Sequence, residues 1–160
     1  LSGKMVEESA KKFKHENIKF SILDAEKISN TKSYDLIVSS MCVHWFIKPL
    51  KSLENLKKLL RPQGQMLHAT LGSDFFPEWR AAANELDLRH GLLEVPNWPD
   101  ILHKETIRQD YKSGLEFLRA MKSTGAAQAA KGHHPLSVGN LKKLLRRYDK
   151  NNQGLATWDI

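Results

Sequence analysis

The sequence predicts an α/β protein in which helices cross over between the strands of a largely parallel sheet. Three observations predict it. Tyr34 to Ser39 is apolar through its centre, as a parallel strand covered on both faces must be. Leu50, Leu53, Leu56 and Leu59 recur every three residues, with Leu60 widening the stripe and Lys51, Lys57 and Lys58 on the wet side, which is helical spacing. Gln65 to Leu71 then alternates as a further strand, followed by a Gly72-Ser73-Asp74 turn and a helix with Phe76, Trp79, Ala83 and Leu86 on one side.

The remaining elements follow in chain order. Met5, Val6, Ser9, Ala10 and Phe13 share one face of a first helix over residues 3–14, with Ser2 as its N-cap. Lys19 to Leu23 alternates as a short strand ending at Asp24. Arg61-Pro62-Gln63-Gly64 reads as the break after the leucine helix. Gly91 to Pro99 holds two prolines and no periodicity, hence a loop. Thr106 to Tyr111 reads as a charged edge strand. Leu115, Leu118, Met121 and Lys122 mark a helix ending near Gly125, and Ser137 is placed to cap a last helix carrying Leu141, Leu144, Leu145 and Tyr148. Asn151 to Gly154 turns the chain into a final strand, Leu155 to Ile160.

A chain of 160 residues that is 41% hydrophobic has material for one core, so residues 1–160 are expected to form a single domain. Cys42 is the sole cysteine, which excludes an intrachain disulfide and points to a reducing, cytoplasmic setting. No apolar run approaches the roughly 20 residues that span a bilayer, so no membrane association is expected. The surplus of 25 Lys and Arg over 18 Asp and Glu, a formal +7, favours acidic partners.

Most catalytic chemistries find no support. Cys42 and His44 lack a second ligand pair at zinc-like spacing, and His133-His134 fall in a loop, so no metal site is expected. No G-x-S-x-G elbow is present. Nucleic acid is disfavoured because aromatic residues do not interleave with the basic runs. What remains is positional: in open α/β sheets ligands bind beyond the carboxyl ends of the strands, where Asp24-Ala25-Glu26 and Ser39-Ser40-Met41 both lie. Asp24 serves equally well as a cap of the next turn.

The segments FSILDAEKI (20–28), SYDLIVSSMCVHWF (33–46), LENLKKLLRPQGQMLHATLG (53–72) and MKSTGAAQAAKG (121–132) together resemble the class I S-adenosylmethionine-dependent methyltransferases. Within that class, MKSTGAAQAAKG followed by HPLSVGNLKKLLRRYD and GLATWDI is similar to the malonyl-[acyl-carrier protein] O-methyltransferases of biotin synthesis. The resemblance implies a Rossmann-like sheet with helices on both faces and S-adenosyl-L-methionine as methyl donor. It puts Asp24 and Ala25 beside the adenine, Ser39, Ser40 and Met41 beside the methionine part, and His44 and Trp45 near the mouth where donor and acceptor meet. Trp45 as core packing is an equal alternative. The family's first strands and glycine-rich loop have no counterpart in this chain, so an intact domain is expected to begin upstream of Leu1, its missing strands lying in the family's sheet between the strand at 19–23 and the strand at 34–39.

The implied reaction is attack by a malonyl carboxylate oxygen on the donor methyl. A carboxylate is ionised at neutral pH, so no general base is expected. An arginine is the natural clamp for the acceptor, with Arg80, Arg89 and Arg119 as candidates and Arg80 and Arg119 preferred. The implied partner is an acyl carrier protein bearing a malonyl group, met by a monomeric enzyme. Lys142, Lys143, Arg146, Arg147 and Lys150 offer a basic helix face to such an acidic protein. Two other readings compete: a related methyltransferase-fold protein with another substrate, and a module of the same fold without catalysis.

Overall fold

The computed structural model describes residues 2–28, 33–125, 132 and 134–160. The α/β class is observed, but among the described residues the strands form two separate two-stranded sheets rather than one. The chain divides into two compact units, Leu1–Ser39 with Trp45–His68, and Ser40–His44 with Ala69–Ile160. No helix among the described residues is long and apolar enough to cross a membrane.

In the first unit, α1 (Gly3–Lys12) starts where predicted, because the Ser2 hydroxyl accepts from Met5 N at 3.4 Å and satisfies one of the helix's orphan amides. The strand expected at Lys19–Leu23 does not form. Those residues have no regular structure, and Ile22 and Leu23 are 60% and 55% exposed. Alternation gives a segment the capacity for a strand, but its amide and carbonyl groups need a neighbouring strand to pair with, and among the described residues none runs beside it.

β1 (Tyr34–Ser40) does form and pairs with β2 (Leu60–Ala69). Tyr34 N donates to Leu59 O at 2.8 Å, and Met41 N to Ala69 O at 2.8 Å. Both strands therefore advance in the same direction, as expected of parallel strands, but β1 is not covered on both faces: Leu36 and Val38 are 53% and 65% exposed, because β1 has a single neighbouring strand among the described residues. β2 begins five residues before the predicted strand at Gln65, and the expected break Arg61-Pro62-Gln63-Gly64 lies inside it. Strand pairing overrides the turn-forming composition here: Arg61 pairs with Asp35 of β1 at 2.8 Å, and a side chain at Gly64 would meet Tyr34 O. Between the strands, α2 (Pro49–Lys57) buries Leu53 and Leu56 of the predicted stripe.

The second unit carries its own core. α3 (Pro77–Asn84), α4 (Gly114–Ser123) and α5 (Val138–Asn152) pack with β4 (Leu155–Asp159) around Phe76, Trp79, Phe117, Leu144, Tyr148 and Ala156, all buried. Phe76 meets Phe117 and Trp158 edge-on with ring centres 4.9 and 4.6 Å apart, and Phe117 stacks on Tyr148 at 5.8 Å. Such pairs contribute about 0.5–1.5 kcal/mol each beyond the area they bury. The Tyr148 hydroxyl donates to Leu155 O, so the one polar atom this ring buries has a partner.

The element ends of this unit follow their local chemistry. Ser113 caps α4 by accepting from Glu116 N at 3.3 Å, and Ser137 caps α5 as predicted, accepting from Asn140 N at 3.2 Å. α5 ends in left-handed Gln153 and Gly154, the latter pressed so closely on Tyr111 that any Cβ would overlap its carbonyl. β4 then pairs antiparallel with β3 (Thr106–Asp110), in the register Thr106 opposite Asp159 and Asp110 opposite Leu155. The predicted loop after residue 90 is anchored by Trp98, whose indole N–H donates to Leu71 O at 2.7 Å.

Candidate active site

The site residues that the sequence singles out are divided between the units: Asp24, Ala25, Ser39 and Trp45 fall in the first, and Ser40, Met41, His44, Arg80 and Arg119 in the second.

In the first unit, Asp24 caps a short 3-10 turn, Ala25–Lys27, with Oδ1 accepting from Glu26 N at 3.0 Å. The capping reading of Asp24 is thus realised, and it leaves Oδ2 facing outward, 3.4 Å from Lys27 Nζ. The residue that holds this turn in place is Glu26. Its carboxylate accepts from Ile47 N at 3.0 Å, from Lys48 N at 3.2 Å and from the Ser52 hydroxyl at 2.9 Å. Lys48, the residue before α2, has no capping side chain of its own, so Glu26 supplies the cap from 22 positions away in sequence. Burial pushes the Glu26 carboxyl pKa up, but the donors from Ile47, Ser52 and Lys48 outweigh it and hold the pKa below its ordinary value.

At the carboxyl end of β1, Ser39 is half-buried and Ser40 exposed. Met41 follows in the left-handed region, φ 48°. That conformation costs an L-residue about 1–2 kcal/mol, and strain of this kind gathers where a chain must turn sharply past a site. After the turn, Val43 is wholly buried and His44 is 7% exposed. The His44 ring shares a hydrogen bond with the Thr70 hydroxyl, Nδ1 to Oγ1 at 2.9 Å, and burial lowers the His44 pKa, which favours the neutral ring. Cys42 is exposed, not packed. Trp45, in the first unit, is 38% exposed.

The arginines differ sharply. Arg80 donates from Nε to Phe75 O at 3.1 Å and from Nη2 to Leu93 O at 3.5 Å, with its guanidinium 4.8 Å from the centre of the Phe75 ring. Burial lowers its pKa, opposed by Asp74 and Glu94. Arg89 and Arg119 are exposed. Residues 126–131 of the MKSTGAAQAAKG segment and His133 lie outside the described residues. The sequence assigns no role to Glu26 or Thr70. Glu26 belongs to the D-A-E triplet, but neither its partners nor Thr70's are within reach of local pattern.

Within the first unit, Glu26 fixes the turn that carries Asp24; within the second, left-handed Met41 and the buried His44 lie three residues apart. A family model described as "Methyltransferase domain" matches residues 3–149. The biotin biosynthesis bifunctional protein BioCD of Bordetella avium is 38% identical over 125 residues, 73% of this chain and 27% of that protein. The malonyl-[acyl-carrier protein] O-methyltransferases of Magnetococcus marinus and a Paenibacillus species are each 30% identical, over 79% and 81% of this chain and 51% and 56% of their own. The chain therefore spans about half, or less, of the length of these curated relatives. With the match running through both units and nearly end to end, this chain belongs to the methyltransferase-domain family.

Proposed function

We propose that this chain serves S-adenosylmethionine-dependent methyl transfer to the free carboxylate of a malonyl group carried by an acyl carrier protein, the esterification for which its relatives are named. The observation that carries the reading is the alignment of those relatives along 73–81% of the chain.

The residues present suit such a donor. Asp24 Oδ2 is paired to the exposed Lys27 ammonium at 3.4 Å, a contact that an adenine amine can replace, and exposed Ile22 and Leu23 beside it offer apolar surface to a ring. When bound, S-adenosylmethionine supplies an activated methyl on a positive sulfur. In this reading Asp24 and Ala25 orient the adenine, Ser39, Ser40 and Met41 hold the methionine part, and His44 and Trp45 exclude water from the acceptor carboxylate. A neutral His44 adds no charge to compete for that carboxylate. Arg119, exposed on α4, is the freer clamp for the acceptor, since Arg80 already serves two carbonyls. Orientation of this kind can be worth about 7–11 kcal/mol, and a carboxylate already ionised at neutral pH needs no general base. We read the chain as a monomer working in the cytoplasm.

Two measurements test the reading. Calorimetry should register S-adenosylmethionine binding, and mass spectrometry should show one methyl added to malonyl-acyl carrier protein in preference to malonyl-coenzyme A. Binding without transfer to either acceptor points to another substrate, and absence of binding points to a module without catalysis.

A further inference from the structure

α5 has two faces of opposite character. Leu144 and Tyr148 are wholly buried in the aromatic core. On another side, Lys143, Arg146, Arg147 and Lys150, at the i, i+3, i+4 and i+7 spacing of one helix stripe, line a shallow depression of about 270 Å³ together with Leu86. Nearby acids do little to neutralise it. Asp149 is turned into the fold, where Oδ1 accepts from Gly114 N at 2.5 Å. Glu85 pairs with Arg147 at 3.3 Å and accepts from Asn151 Nδ2 at 3.2 Å. Lys143, Arg146 and Lys150 have no ion pair among the described residues.

The shape of the charge selects the partner. Seven residues of helix separate Lys143 from Lys150, about 10 Å of rise, so a single small anion cannot meet all four cations. A nucleic acid would need a stacking surface, and no aromatic residue lines the depression. A protein helix carrying spaced carboxylates and an apolar side chain fits both the cations and Leu86. We propose that this depression docks an acidic helical protein surface. The inference rests on the function proposed above, whose acceptor is carried on an acidic protein, and assigns the docking of that carrier to Lys143, Arg146 and Lys150.

The test uses the full chain and an apo acyl carrier protein, which lacks the phosphopantetheine arm, in stopped-flow association at several salt concentrations. Lys143→Glu/Arg146→Glu should slow association about tenfold at low salt and flatten its salt dependence. Lys4→Glu/Lys14→Glu, the same charge change placed in the first unit, should leave the rate within about twofold, as expected when a local patch and not net charge steers the encounter. Lys150→Glu gives the same readout should the first double variant not fold. Equal slowing by both doubles, or equal competition by a short duplex DNA, overturns the proposal. Because no methyl is transferred here, docking without methylation would sink the proposed reaction alone. Methylation of malonyl-acyl carrier protein that is indifferent to Lys143→Glu/Arg146→Glu would sink the docking site alone.

Discussion

The Thr70 hydroxyl lies 2.9 Å from Nδ1 of His44, joining the residue after the β1 turn to the residue after β2 through a bond that is buried at both ends. Each strand end is thereby held by the other's side chain. Removing the Thr70 hydroxyl while keeping its shape leaves a ring nitrogen buried without that partner. Thr70→Val is expected to cost about 1–3 kcal/mol in chemical denaturation. The same burial sets a pH dependence. The folded-state pKa of His44 lies below its ordinary value of about 6.5, so the unfolded chain takes up the proton first. Stability is retained above that value and falls as the pH drops below it. His68, lowered by burial and by Lys57, acts with the same sign. Melting temperatures of the native chain and of His44→Gln, measured from pH 7.5 to about 5, should show a shallower decline in the variant. Parallel curves would mean that the imidazole is not the group responsible.

Glu26 should matter more for the placement of a turn than for any chemistry. Glu26→Gln keeps an acceptor but loses the charge that draws in the donors from Ile47, Lys48 and Ser52, and is expected to cost about 1 kcal/mol or more. Its carboxyl pKa is depressed in the fold, so its contribution is present above the ordinary carboxylate range and is lost as the pH falls through the lowered value. Should S-adenosylmethionine affinity fall in Glu26→Gln while Asp24 is untouched, a positioning role follows. An unchanged affinity would confine Glu26 to stability.

Arg80 and Arg119 separate scaffold from function. Arg80→Ala abandons Phe75 O, Leu93 O and the Phe75 ring, and is expected to destabilise the second unit by about 1–3 kcal/mol. Arg119→Ala removes an exposed side chain, so its melting curve should shift by less than about 0.5 kcal/mol while the KM for the malonyl acceptor rises. A normal KM in Arg119→Ala would end its candidacy as the clamp.

The sequence was most informative where structure is local. Ser2 and Ser137 cap as read, because an N-cap needs only a hydroxyl and an amide three residues on. The edge strand at Thr106 and the final strand at Leu155 are where their composition puts them, and they satisfy each other. Lys19–Leu23 failed for the opposite reason: a strand is a relation between two segments, and alternation describes only one of them. Arg61 to Gly64 failed in mirror image, since pairing with β1 drew a turn-like sequence into β2. At the site, Ser39 and Met41 were legible as a strand end and Asp24 as a turn cap, while the partners of Glu26 and Thr70 became visible only once residues some 20 to 26 positions apart were in contact.

The C-terminal strand has a bearing on how the chain is made. Asp159 accepts from Asp74 N across 85 residues, and Glu78 accepts from Thr157 N across 79. Closing loops of that length before their contacts repay the lost entropy is slow, and it cannot begin while residues 155–159 are still inside the ribosome. The helix at Pro77 therefore emerges early and waits, with Phe75, Phe76 and Trp79 uncovered, for nearly the whole of the second unit to be synthesised. For that interval the nascent chain depends on whatever shields its aromatic residues, and codon changes that slow translation between residues 85 and 155 would lengthen the exposure.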